Sequence, residues 1–168
     1  LPAGTTQRPR AGVTDAGRRF YAMAKDAIDG EADAHRPPVR VCNALLAALC
    51  DIGEVTAARR LLRLMDEGRV SSANGYSLSI VMAGHGRLRQ LSEAAVLWER
   101  LNQQGWVDVV ALNAWILACV SSDNLRMALQ AFQRAKAETP ALASQLDLIT
   151  YATLIRALVA MRKEATDL

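Results

Sequence analysis

The sequence predicts an all-α protein, a solenoid of stacked helix–turn–helix hairpins. Val41, Leu45, Leu46, Leu49 and Ile52 recur at helical spacing. Ala57, Ala58, Leu61, Leu62 and Met65 do so again just beyond, with room only for a tight turn at Asp51, Gly53 and Glu54. A pair of helices this short has no core of its own and needs a similar pair stacked against it. The chain supplies such pairs. Asn43-Ala44-Leu45-Leu46, Ser77-Leu78-Ser79-Ile80, Asn113-Ala114-Trp115-Ile116 and Ala152-Thr153-Leu154-Ile155 recur at nearly even intervals, the last slightly the longest. In the second helices Ala58, Ala94 and Ala128 recur at almost the same interval. Each is followed at one offset by a pair: Leu61-Leu62, Leu97-Trp98 and Ala131-Phe132. A small residue there lets two helix axes approach closely.

Taken in order, the chain opens on an arm at 1–13 with two prolines, two glycines and no periodicity. Thr14 or Asp15 can cap a helix running to about Asp29, with Phe20, Met23, Ala24 and Ala27 inward, and Pro37-Pro38 stops the turn after it. This degenerate partial repeat occupies 14–38. Repeats follow at 39–72, 73–108 and 109–147, with a partial terminal repeat at 148–168. In the second of the three, the spacing predicts a helix from Tyr76, a polar turn at His85–Gln90, and a helix from an N-capping Ser92 to Gln103, ended by Gly105. The interval from Asn43 to Ala58 equals that from Asn113 to Ala128, whereas the interval from Ser77 to Ala94 is longer. A short insertion is therefore expected in the His85–Gln90 turn. The third pair runs over Val109–Val120 and Leu125–Glu138, capped by Asp123 or Asn124 and stopped by Pro140. A last helix begins near Ile149. The chain starts at Leu1, and both ends are expected to expose apolar faces that fit neighbours, as in a longer protein or an assembly.

Composition narrows the function classes. Twenty Lys and Arg against 17 Asp and Glu give +3, which permits a polyanion partner without a dedicated basic surface. Charges break every apolar segment, so no membrane insertion is expected. Cys42, Cys50 and Cys119 have neither disulfide nor metal-ligand spacing and read as buried thiols in a reducing compartment. His35 and His85 have no Cys or carboxylate at a consistent offset, and Gly84 and Gly86 lack the strand a phosphate loop requires. No enzyme, no metal and no cofactor are expected.

The repeats VRVCNALLAALCDIGEVTAARRLLRLMDEG, VVALNAWILACVSSDNLRMALQAFQRA and LITYATLIRALVAM, with the looser GYSLSIVMAGHGRLRQLSEAAVLWERLNQQGWVD, resemble the pentatricopeptide repeat family over about residues 39–161. The tetratricopeptide pattern, by contrast, wants an aromatic and a Leu-Gly pair in the first helix. The resemblance implies a right-handed solenoid whose first helices line a groove for single-stranded RNA. There a polar residue early in the helix and the last residue of the repeat contact one base edge. Carried onto this chain, the pairs are Asn43 with Ser72, Ser77 with Asp108, and Asn113 with Asp147. In family terms these resemble cytosine, guanine and uracil readers, a weak 5′-C-G-U-3′ preference. Ala152 departs from the pattern. An Asn or Ser early in a helix serves equally as a cap or as a bond to the neighbouring hairpin.

The flanking apolar or cationic residues that sandwich a base are Arg40, at the family position, and Leu112, just before Asn113. Backbone phosphates would meet Arg40, His85, Arg87, Arg89, Arg156, Arg162 and Lys163. Arg59, Arg60 and Arg63 lie on a second helix and read as a solvated outer face or a contact to protein or ribosomal RNA. Trp98 and Phe132 fall in the core phase, Trp115 stays open between core and base stacking, and Trp106 lies in a connection. The partners implied are single-stranded RNA or ribosomal RNA, and protein subunits of a larger assembly. By resemblance alone, the location is the mitochondrion or chloroplast. Two roles result: RNA binding in organellar RNA processing, stability or translation, and a structural scaffold in an organellar ribosome or other ribonucleoprotein.

Overall fold

The computed structural model describes residues 37–166, with side chains through Val159. The arm over 1–13 and the helix expected from Thr14 lie outside the described residues. Among those described there are eight helices and no strand, as the apolar periodicity predicts. They fall into two compact units, one ending at Ser72 and the other beginning at Ala73.

The first unit is one hairpin. Helix α1 spans Val39–Asp51 and α2 spans Val55–Asp66. Pro38 precedes α1, where its missing N–H costs nothing and its carbonyl accepts the first helical bond, from Val41 N at 2.8 Å. Gly53 supplies the left-handed turn with φ +83°. Leu45, Leu46 and Leu49 bury together with Leu61, Leu62 and Met65.

In the second unit α3 spans Gly75–Arg87, α4 Leu91–Gln103, α5 Val109–Ser121, α6 Leu125–Glu138, α7 Pro140–Ala143 and α8 Leu148–Thr166. Helix α3 packs on α4 and α5, and α5 packs in turn on α4, α6 and α8. The first helices of successive hairpins thus form one layer, α3–α5–α8, with α4 and α6 behind it. This is the architecture of a helical-repeat solenoid. Gly86 explains how close α3 and α5 lie: a Cβ there would stand 2.7 Å from both Cα and Cβ of Ala118. Ala58, Ala94 and Ala128 are fully buried, in keeping with their role as small contact residues.

Several boundaries differ from the sequence expectation for local reasons. Helix α3 begins at Gly75 because Asn74 caps it, accepting from Ser77 N at 2.9 Å while Ser77 Oγ accepts from Asn74 N at 3.2 Å. It continues through Arg87, so His85 is in its last turn rather than in a polar turn. Helix α4 starts at Leu91 after Gln90, not at a cap on Ser92. Arg89 takes the left-handed turn conformation with φ +57°, and Gln90 N bonds back to His85 O at 2.9 Å. Of the two candidate caps on α6, Asn124 serves, accepting from Met127 N at 3.3 Å. Pro140 does end α6, and it also opens the short α7 at its first position.

The expected insertion is absent. Each turn within a hairpin has the same length, Ile52–Glu54, Leu88–Gln90 and Ser122–Asn124, and the irregular lengths all fall between hairpins. The fifth residues of α1, α3 and α5 are Asn43, Ser79 and Asn113. Each precedes its alanine, Ala58, Ala94 or Ala128, by the same interval. Ser77 is the third residue of α3 and belongs to the capping box.

Candidate nucleic-acid interface

The polar positions that the family resemblance singles out fall at the fifth residue of each first helix and the N-cap of the next. At α5 and α8 they meet. Asp147 is the N-cap of α8 by sequence and geometry, its Oδ1 accepting from Thr150 N at 3.0 Å. The same oxygen accepts from Asn113 Nδ2 at 3.3 Å. Thr150 Oγ1 lies 2.6 Å from Asn113 Oδ1 and 3.0 Å from Asp147 Oδ1. Backbone donation from Thr150, with the hydroxyl and the Asn113 amide behind it, holds the Asp147 carboxyl below the usual value of 3.8. Asn113 and Asp147 stay partly exposed, whereas Thr150 is fully buried. An amide held this way still has one N–H and one lone pair to offer, a donor beside an acceptor. That pairing suits the edge of a single-stranded base.

At α3 the register moves the candidate from Ser77 to Ser79. Ser79 is buried and donates its hydroxyl to Gly75 O at 2.8 Å, as serine does within a helix. Asp108, the next N-cap, is exposed and accepts from Ala111 N at 2.7 Å. For Asn43, which is 6% exposed, the equivalent N-cap place in sequence is Asn74; Ser72 precedes it by two places and is exposed. Ala152 holds the fifth place in α8.

The residue three before each fifth position is exposed throughout: Arg40, Tyr76, Val110 and Ile149. Leu112, by contrast, is fully buried and takes no part in a base sandwich. The signal that would have found Ser79, Tyr76 and Val110 is the constant interval between the polar position and the alanine of the second helix.

The expected cations are placed unevenly. Arg40, Arg87 and Arg156 are exposed. Arg89 is exposed but bonds to Asp123 across adjacent hairpin turns. Both residues hold positive φ, 57° and 56°, where the first hairpin has Gly53. His85 is 3% exposed, with Nδ1 2.8 Å from Gln90 Oε1, and does not reach a phosphate at the surface. The side chains of Arg162 and Lys163 lie outside those described.

The aromatics divide as their phase dictates. Trp115 is 2% exposed and stacks on Trp98, centroids 5.4 Å apart and planes 3° from parallel, which makes it a core residue. Phe132 meets Tyr151 edge to face at 5.5 Å. Trp106 is exposed. Behind the first-helix layer, a cavity of about 330 Å³ lies against Trp98, Trp115 and α6. There Ala131 and Ala135 stand where α4 has Leu97 and Leu101. All three cysteines are buried and none is in a disulfide, and burial pushes the Cys119 thiol up to about 12. Among the described residues there is no group of three or more His, Cys, Asp or Glu able to hold a metal, and no helix long and apolar enough to cross a membrane.

A family model described as pentatricopeptide repeat-containing protein matches residues 40–135, which span α1 to most of α6. The chain belongs to the pentatricopeptide repeat family. No curated protein sequence matches it. Pentatricopeptide repeat proteins are generally RNA-binding, and the first helices of the repeats correspond here to α1, α3, α5 and α8.

Proposed function

We propose that this pentatricopeptide repeat protein binds single-stranded RNA along its first-helix layer and reads one base with Asn113 and Asp147. The observation that carries the reading is the hydrogen-bonded pair itself, one member early in a first helix and the other closing the repeat. Exposed Tyr76, Val110 and Ile149 at equivalent positions supply stacking surfaces, and Arg87 and Arg156 supply charge for phosphates. By family terms the Asn113–Asp147 pair favours uracil and the Ser79–Asp108 pair guanine. Work in organellar RNA processing, stability or translation, in mitochondrion or chloroplast, follows from the family resemblance, as does the absence of catalysis.

Selection from random single-stranded RNA followed by titration tests the proposal. Asn113→Ala should erase preference at one base, while Arg87→Ala should weaken all sequences together and lower the salt slope by about 1. Equal losses on every sequence from Asn113→Ala would defeat the base-reading assignment. A second reading, a scaffold within an organellar ribosome or other ribonucleoprotein, is favoured by α8. Its Tyr151, Ile155 and Leu158 are exposed at places where α3 and α5 are buried. It predicts no sequence selection and stable co-purification with ribosomal subunits.

A further inference from the structure

The orientation of an Asn amide decides which half meets a base, and here that orientation is determined by its neighbours. Turning the Asn113 amide over would set its oxygen against the Asp147 carboxylate and its nitrogen 2.6 Å from Thr150 Oγ1. The first contact is repulsive and the second is short for an N–H donor. With nitrogen toward Asp147, the single proton of the Thr150 hydroxyl is shared in a three-centre bond, mainly with Asn113 Oδ1 at 2.6 Å and more weakly with Asp147 Oδ1 at 3.0 Å. Thr150 is fully buried and lies one helix away from the amide it bonds, so it touches the reading residue without facing the groove.

We infer that Thr150 is a positioning residue for base reading: its hydroxyl locks the Asn113 amide so that one N–H and one lone pair face the RNA. The inference rests on the base-reading role proposed for Asn113. It assigns specificity to the third residue of the next first helix, and therefore to a residue of the next repeat. Where that residue has no hydroxyl, the polar side chain before it gains no such lock. Ala111, third in α5, is in that position relative to Ser79.

The test compares the wild-type chain with Thr150→Val, which keeps the shape and the backbone bond to Asp147, and Thr150→Ser, which keeps the hydroxyl. NMR of the free protein follows the Asn113 side-chain NH₂ signals and the Asp147 carboxyl titration. A short randomised single-stranded RNA pool then measures preference at each base. Thr150→Val should shift the NH₂ signals, raise the Asp147 pKa toward its ordinary value, and cut discrimination at one base by about 3- to 10-fold, the worth of one neutral hydrogen bond. Total affinity for the pool should barely change, and Thr150→Ser should restore all three readouts. If Thr150→Val leaves discrimination intact while Asn113→Ala erases it, Asp147 alone fixes the amide. The inference then fails and base reading stands. An equal loss in Thr150→Ser would also overturn it, because the hydroxyl would not be the cause. If the wild-type chain shows no base preference anywhere, base reading itself fails and takes the inference with it.

Discussion

Two junctions between successive hairpins in the second unit use the same scaffold and end differently. At the first, Ser79 donates to its own helix at Gly75 O, and Asp108 caps α5 through Ala111 N. At the second, Asn113 reaches forward to Asp147, which caps α8 and is tied to Thr150. The acid at the N-cap is the same in both. What differs is the length of the side chain behind it and the presence of a hydroxyl at the third place after it. A short Ser satisfies itself locally, as hydroxyls within helices do. A longer Asn cannot, and finds its partners across the junction. The bonding of these polar side chains is therefore a property of the seam between repeats rather than of any repeat alone.

The comparison can be broken most forcefully at the contact that holds the first seam, α3 against α5, in place. Gly86→Val puts a branched side chain where a Cβ already meets Ala118 at 2.7 Å. It should destabilise the second unit by about 2 kcal/mol or more in chemical denaturation, because backbone atoms must move. Unchanged stability would mean that α3 and α5 are not locked together there. A milder experiment transplants one seam onto the other. Ser79→Asn with Ala111→Ser should create a new base preference of about 3- to 10-fold at the neighbouring nucleotide, read by selection from random RNA. Ser79→Asn alone should do less, and equality of the two would show that the hydroxyl is dispensable.

Acid gives the finest distinction. The folded Asp147 carboxyl titrates below its ordinary value, so what it contributes is complete above about 3.8 and is lost as pH falls through the lower folded value. Base preference at Asn113 should thus be the same at mildly acidic and neutral pH, and should vanish only in stronger acid. Loss of preference above the ordinary aspartate range would show that Asp147 is not held as described.

Much of this was readable in the chain. Leu45, Leu46, Leu49, Leu61, Leu62 and Met65 declare two helices and their facing sides, and the buried alanines Ala58, Ala94 and Ala128 declare the repeat. Asn113 and Asp147 could be paired from the repeat length. Ser77 misled because a capping-box serine and a fifth-position serine are the same residue type two places apart, and only the alanine spacing distinguishes them. His85 looked like a surface cation because Gly84, Gly86 and Arg87 around it resemble a turn. In the structure Gly86 permits helix contact instead, and the histidine is buried with Gln90 beside it.

By itself the sequence determined the helices, their pairing into hairpins and the family, because these follow from apolar spacing and from small residues at fixed offsets. Tertiary structure alone decided which polar side chains meet. Thr150 lies 37 residues from Asn113, and nothing local to either predicts their bond. That bond exists because stacking brings the start of α8 beside the first turns of α5, where a buried hydroxyl finds the amide oxygen as its acceptor in place of water.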